Sequence, residues 1–118
     1  MESMTFEYKY SVEGYITFTI KVNSGEFSGA SSFCISGNSL KNTILSLRGM
    51  YNSLEGEYQM NDYDSDDFVL FEFLNLGHIR ITGQVGGSHN QQYLRYQFNA
   101  DQTFLDKIII NLKDMMVE

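Results

Sequence analysis

From Thr5 the chain alternates apolar and polar residues: Phe6, Tyr8, Tyr10 and Val12 fall on one side, and Glu7, Lys9 and Ser11 on the other. A period of two is the signature of a half-buried antiparallel strand. Glu13-Gly14 breaks the run as a turn, after which Ile16, Phe18, Ile20 and Val22 face away from Thr17, Thr19 and Lys21. Two such runs separated by so short a break predict a hairpin. A third strand follows the turn cluster Asn23-Ser24-Gly25, with Phe27, Phe33 and Ile35 among small residues, Gly29 at a bulge, and Cys34 pointing opposite Phe33 and Ile35. The period then changes. Leu40, Ile44, Leu47, Tyr51 and Leu54 recur at the spacing of one helical face, which predicts a helix over about Ser39 to Leu54. Asn38 or Ser39 supplies its N-cap and Gly56 its left-handed C-terminus. Gly49 inside it predicts close approach to a sheet, because glycine costs a helix about 1 kcal/mol relative to alanine.

The second half repeats the order of strands followed by a helix. Tyr58 and Met60 mark a short strand, and NDYDSDD follows it. Phe68 to Leu74 is apolar on both faces apart from Glu72, which predicts a strand buried on both sides near the middle of a sheet. Asn75-Leu76-Gly77 forms a tight connection into Ile79, Ile81 and Val85, which alternate with Arg80, Thr82 and Gln84. Beyond the glycines at 83, 86 and 87, Leu94, Tyr96 and Phe98 alternate with Arg95 and Gln97. Asp101 then caps a second helix with a broad stripe of Phe104, Leu105, Ile108, Ile109, Leu112, Met115 and Met116, and Lys113 suits the dipole at its end. The order βββαββββα with short turns predicts an α+β fold: a single curved antiparallel sheet of about seven strands with both helices on its apolar face. Residues 1–118 form a single domain in this reading.

Composition narrows the function. The chain is 42% hydrophobic, and its aromatic residues are nine Phe and eight Tyr without Trp, types favoured on pleated surfaces. Fifteen acidic against eight basic residues give a net charge of -7, the wrong sign for nucleic acid or an anionic membrane. Such a surface either steers a basic partner or only keeps the domain soluble. A single cysteine, Cys34, leaves no internal disulfide, the N-terminus lacks a signal-peptide pattern, and no apolar run reaches the roughly 18 to 20 residues that span a bilayer. A cytoplasmic location is expected.

Candidate chemistry is thin. Asp62, Asp64, Asp66 and Asp67 imitate the first half of a calcium loop, but Asp67 stands where that loop turns on glycine and Phe73 where it needs a bidentate glutamate. A solvated acidic tip or a docking patch for a basic protein fits them better. Gly83, Gly86 and Gly87 precede a strand rather than a helix, so they read as turn glycines, with Gly83 at a bulge, and not as a phosphate loop. His78 and His89 lack metal-pair spacing, and no strand-nucleophile-helix elbow surrounds Ser88. Glu72, flanked by Phe71 and Phe73, needs a cation such as Arg80 or Arg95 if it is buried. No catalytic residue, metal ligand or cofactor is assigned.

Gly83-Gln84 in a strand, the glycine turn, Leu94-x-Tyr96-x-Phe98, and Asp101-Gln102-Thr103-Phe104-Leu105 opening the last helix together resemble the WapI-type immunity proteins. Phe27-Ser28-Gly29 and the Leu40 to Leu54 helix lie upstream in a similar order. The absence of Trp and Pro departs from such domains. The resemblance implies a non-enzymatic cytoplasmic protein that binds and occludes a toxin domain, often a nuclease and commonly basic, and it carries over no catalytic residues. Charge clustering selects Glu55, Glu57, Asp62, Asp64, Asp66 and Asp67 as the contact surface, with Tyr58 and Tyr63 as anchors. The competing readings are a ligand-binding or enzymatic domain with a pocket near Glu72, and a weak homodimer through Met115, Met116 and Val117.

Overall fold

A computed structural model describes residues 2–117. The elements run β1 (Ser3–Val12), β2 (Tyr15–Ser24), β3 (Phe27–Ser36), α1 (Gly37–Ser53), β4 (Glu57–Asn61), β5 (Phe68–Phe73), β6 (Ile79–Val85), β7 (Leu94–Ala100) and α2 (Gln102–Asp114), with a short 3-10 turn at Met115–Val117. The α+β class and the element order are as expected. The single sheet is not: the strands form two antiparallel sheets, β1-β2-β3 and β4-β5-β6-β7.

The division has a visible cause at the edge of β3. There the Cys34 amide donates to Asp62 Oδ1 at 2.8 Å, and the Cys34 carbonyl accepts from the Tyr63 amide at 2.8 Å. A loop, and not a strand of the second sheet, occupies that edge. The opposite edge is covered in a similar way, since the Asn111 side chain of α2 accepts from the Phe6 amide at 2.9 Å and donates to the Phe6 carbonyl at 2.8 Å. Blocked edges do not recruit further strands.

The inward faces of both sheets and the helices share one hydrophobic cluster that includes Phe6, Phe18, Phe33, Leu40, Leu47, Phe71, Ile81, Phe98, Leu105 and Ile109. The sheets meet where Gly29 of β3 lies against β6 and β7: a Cβ there would stand 3.1 Å from Val85 Cγ2 and 3.2 Å from Leu94 Cδ2. Gly29 pairs regularly with Val22 and marks this close approach, not the expected bulge. Gly83 likewise pairs regularly, with Val69 and Tyr96, and its missing side chain leaves room for the Tyr96 ring.

The bulge in the structure falls elsewhere. The β1–β2 register shifts between Tyr8 and Tyr10, so Tyr8 pairs with Phe18 while Tyr10 pairs with Thr17. One extra residue inverts the facing of everything after it. Tyr10 and Val12 therefore join Tyr15 on the outer face rather than Phe6 on the core face. β5 also departs from expectation, because Val69, Phe71 and Phe73 are buried while Phe68, Leu70 and Glu72 are only partly covered.

Helix α1 begins earlier than its apolar spacing indicated. Ser36, and neither Asn38 nor Ser39, is the N-cap, its side chain accepting from the Ser39 amide at 3.0 Å. Leu54, and not Gly56, closes the helix in the left-handed conformation at φ 60. In α2 Asp101 caps Phe104 as expected. Met115 is buried in the core and Met116 is exposed, while the side chain of Val117 lies outside the described residues, so the methionine pair is no continuous apolar stripe.

Gly49 is exposed, with nothing within 4 Å of the position of its missing Cβ, so close approach to a sheet does not explain it. Gly49→Ala is expected to stabilise the fold by about 1 kcal/mol through helix propensity alone. Gly83→Ala is expected to do the reverse, because its Cβ would fall 2.5 Å from Tyr96 Cζ and 2.7 Å from the Phe68 carbonyl oxygen. Urea denaturation of the two variants checks both signs.

Candidate partner-binding surface

The glycines and aspartates that looked like separate motifs form one structure. Gly86 and Gly87 adopt φ 101 and φ 75, conformations that side chains disfavour. Successive amides turned inward in this way make a concavity suited to an anion. The anion is supplied by the chain itself. Asp67 is 3% exposed, and its carboxylate accepts from the Gly87 amide at 2.8 Å, the Gly86 amide at 3.0 Å, Gln84 Nε2 at 3.0 Å and the Ser31 hydroxyl at 3.3 Å. Asp66 beside it accepts from Gln84 Nε2 at 2.8 Å, the Ser88 amide at 3.0 Å and the Ser88 hydroxyl. The Ser88 hydroxyl and amide, opposed by desolvation and helped by Gln84, hold the Asp66 carboxyl down to about 2. Gln84 passes the network on, accepting from Arg95 Nε at 2.8 Å.

The other end of the loop is held as firmly. Ser65 donates to Asp62 Oδ2 at 2.6 Å and accepts from the Asp67 amide at 3.0 Å, while the Asp62 amide donates to the Asp67 carbonyl at 3.0 Å. With Asp62 Oδ1 on the Cys34 amide, residues 62–67 bridge the first sheet, the second sheet and the glycine turn. A solvated tip does not describe Asp67. A calcium cage does not describe the loop either, because the carboxylate oxygens of Asp62, Asp66 and Asp67 are taken by N–H and O–H donors.

Two features of the loop remain outward. None of its four carboxylates joins a salt bridge among the described residues; the ion pairs found lie between Lys21 and Glu7, Arg48 and Asp106, and Arg80 and Glu72. Dipoles satisfy Asp62, Asp66 and Asp67, and no cation pairs with any of the four among the described residues. Tyr63 is 68% exposed, and its ring packs on Tyr15 with centroids 4.8 Å apart. Charge repulsion from the neighbouring Tyr63 raises the Tyr15 hydroxyl above the ordinary phenol value.

The remaining predicted residues are not gathered here. Glu57 begins β4, at the end away from the loop, and pairs across the strands with Glu72. Glu55 is exposed beyond α1. Tyr58 packs against the core and hydrogen-bonds Thr43 at 3.1 Å, so it is no free anchor. Glu72 takes Arg80 as its cation, with Nε to Oε1 at 3.1 Å, and that hydrogen bond raises the arginine further above its ordinary value. His78 and His89 are both exposed.

Sequence reasoning missed Ser31, Gln84 and Ser88 as partners of the aspartates, Tyr15 as the neighbour of Tyr63, and Tyr10 and Val12 as sharing the face of Tyr15. A signal for the first group was present, since a run of carboxylates and a run of glycine amides within one chain are complementary. The second group depended on the bulge. The buried Tyr96 hydroxyl has no partner among the described residues, and burial, then nearby Asp67, raises it well above the ordinary tyrosine range.

A family model described as "Immunity protein WapI-like family" matches residues 5–118. No curated protein and no solved structure matches the chain.

Asp67→Ala strips acceptors from several buried or half-buried donors, each worth about 1–3 kcal/mol when orphaned, so a loss on the order of 3 kcal/mol or more is expected in urea denaturation. Asp66 has the depressed folded value, so its contribution is present above its ordinary 3.8 and disappears as the pH falls towards about 2. Wild type is therefore expected to lose stability more steeply than Asp66→Asn across that window. Equal slopes in acid unfolding would show that Asp66 gains nothing from its partners.

Proposed function

Because the chain belongs to the WapI-like immunity protein family, we propose that it binds a toxin domain in the cytoplasm and blocks it by occlusion, with no reaction of its own. The partner is a basic domain, with a nuclease as its natural class. The observation that carries this reading is the set of four loop carboxylates with no cation partner among the described residues, on a chain of net charge -7. Uncancelled charge on an ordered loop steers a basic partner and sets its orientation.

Asp64 and Tyr63, both exposed, are the direct contacts in this proposal. Asp62, Asp66 and Asp67 hold the loop and add to its potential, and Glu55 and Glu57 contribute at longer range. The alternative of a ligand pocket at Glu72 draws no support from the geometry, since Arg80 already pairs with that carboxylate.

The test uses a purified basic toxin domain of the wall-associated class as the partner. Asp64→Lys is expected to weaken its binding by roughly tenfold, mostly through slower association, and to flatten the dependence of the association rate on salt. Stopped-flow kinetics at two ionic strengths reads both effects. An association rate unchanged by the charge reversal would remove the aspartate loop from the interface.

A further inference from the structure

The aspartate loop supplies charge but little contact area, and the neighbouring surface differs from the rest of its sheet. Across most of the outer face of the first sheet the exposed positions are small or polar, as in Thr5, Ser28 and Ser32. At the hairpin end the bulge after Tyr8 brings Tyr10 and Val12 onto this face, and Val12 stands directly opposite Tyr15. Tyr63 reaches over from the acidic loop onto Tyr15. Tyr10 is 53%, Val12 57% and Tyr63 68% exposed, so they form a contiguous apolar patch with hydroxyl tips.

The patch is ordered before any partner arrives. The Gly37 amide at the start of α1 donates to the Gly14 carbonyl at 2.8 Å, which ties the hairpin tip to the helix. Tyr63 is tied to β3 by its own amide. Tyrosines held in this way give large contact area for little lost entropy, and they are enriched among residues that dominate binding energy. Charge decides what they fit. Glu13 stands at the hairpin turn and Asp62 and Asp64 flank Tyr63, all without a salt bridge among the described residues, while Lys9 directs its ammonium to Ser32 at 3.0 Å, farther along the sheet. Aromatic rings bordered by uncancelled carboxylates attract a cation both through the ring face and through the field.

We propose that the anchoring centre of the interface is the patch of Tyr10, Val12, Tyr15 and Tyr63, and that it receives a cationic face of the toxin domain, with an arginine or lysine side chain lying on the tyrosine rings. The proposal rests on the toxin-binding reading above and adds the site and chemistry of the anchor. The bulge at Lys9 is then a functional device, because without it Tyr10 and Val12 would face the other side of the sheet.

Calorimetric titration of the same basic toxin domain into wild type and variants tests it. Tyr63→Ala and Tyr10→Ala are each expected to weaken binding by roughly thirtyfold or more, Tyr63→Leu by a similar factor, and Tyr63→Phe by no more than about threefold. Unchanged circular dichroism and melting temperature establish that the variants fold. Alanine variants that bind within about threefold of wild type, alongside an Asp64→Lys variant that binds weakly, would overturn the anchor and leave the toxin-binding reading standing. Failure of wild type to bind would remove both. Self-association of wild type that Tyr63→Ala abolishes would make the occupant a second copy and would also overturn the proposal.

Discussion

A carboxylate buried between two sheets is tolerable only if donors surround it, and Asp67 is surrounded by Gly86, Gly87, Gln84 and Ser31. The donors come from separated parts of the sequence. Ser31 lies in β3, Gln84 lies near the end of β6 and the glycines form the turn that follows, so a single side chain fixes the relative positions of both sheets and two loops. The arrangement needs amides aimed at one point, which explains the positive φ values at Gly86 and Gly87. It also explains why residues 62–67 take an ordered course although they form neither helix nor strand.

What faces outward follows from what is held inward. Once Asp62, Asp66 and Asp67 are satisfied by protein donors, Tyr63 and Asp64 are left at the surface and Tyr63 is laid on Tyr15. The loop's carboxylates have no cation partner among the described residues, so the loop is ordered and electronegative together. An inhibitor that acts by occlusion profits from both properties: rigidity lowers the ordering cost of association, and a projected potential raises the encounter rate. In the toxin-binding reading proposed for this member of the WapI-like immunity protein family, the contacts lie on the exterior of the molecule.

Much of the fold was legible because period and punctuation agree along the chain. Glu13-Gly14 is a two-residue hairpin turn and Leu76-Gly77 lies at the centre of the five-residue connection from β5 to β6, each with positive φ at both positions, and the strands flanking them begin and end near where alternation does. Asp101 was legible as a cap because cap and stripe coincide. The errors have specific causes. Alternation cannot reveal a bulge, since Tyr10 and Val12 are apolar whichever face they occupy, and so the aromatic patch was hidden in an apparently regular strand. Ser36 was overlooked as the α1 cap because the first turn of that helix carries no apolar residue before Leu40. The division into two sheets depends on the Cys34 peptide finding Asp62 and Tyr63, a contact across α1 and β4 that no local pattern announces. The acidic run was visible, but its direction was not: carboxylates aimed at an internal nest and carboxylates aimed at water have the same sequence.

Amide hydrogen exchange of the chain, alone and with the toxin domain bound, tests the central claim that the loop is already built before its partner arrives. The account predicts that the Gly86 and Gly87 amides exchange slowly in the free protein and change little on binding, while residues 10–15 and 62–65 gain protection. Rapid exchange at Gly86 and Gly87 in the free protein, slowed only in the complex, would contradict it.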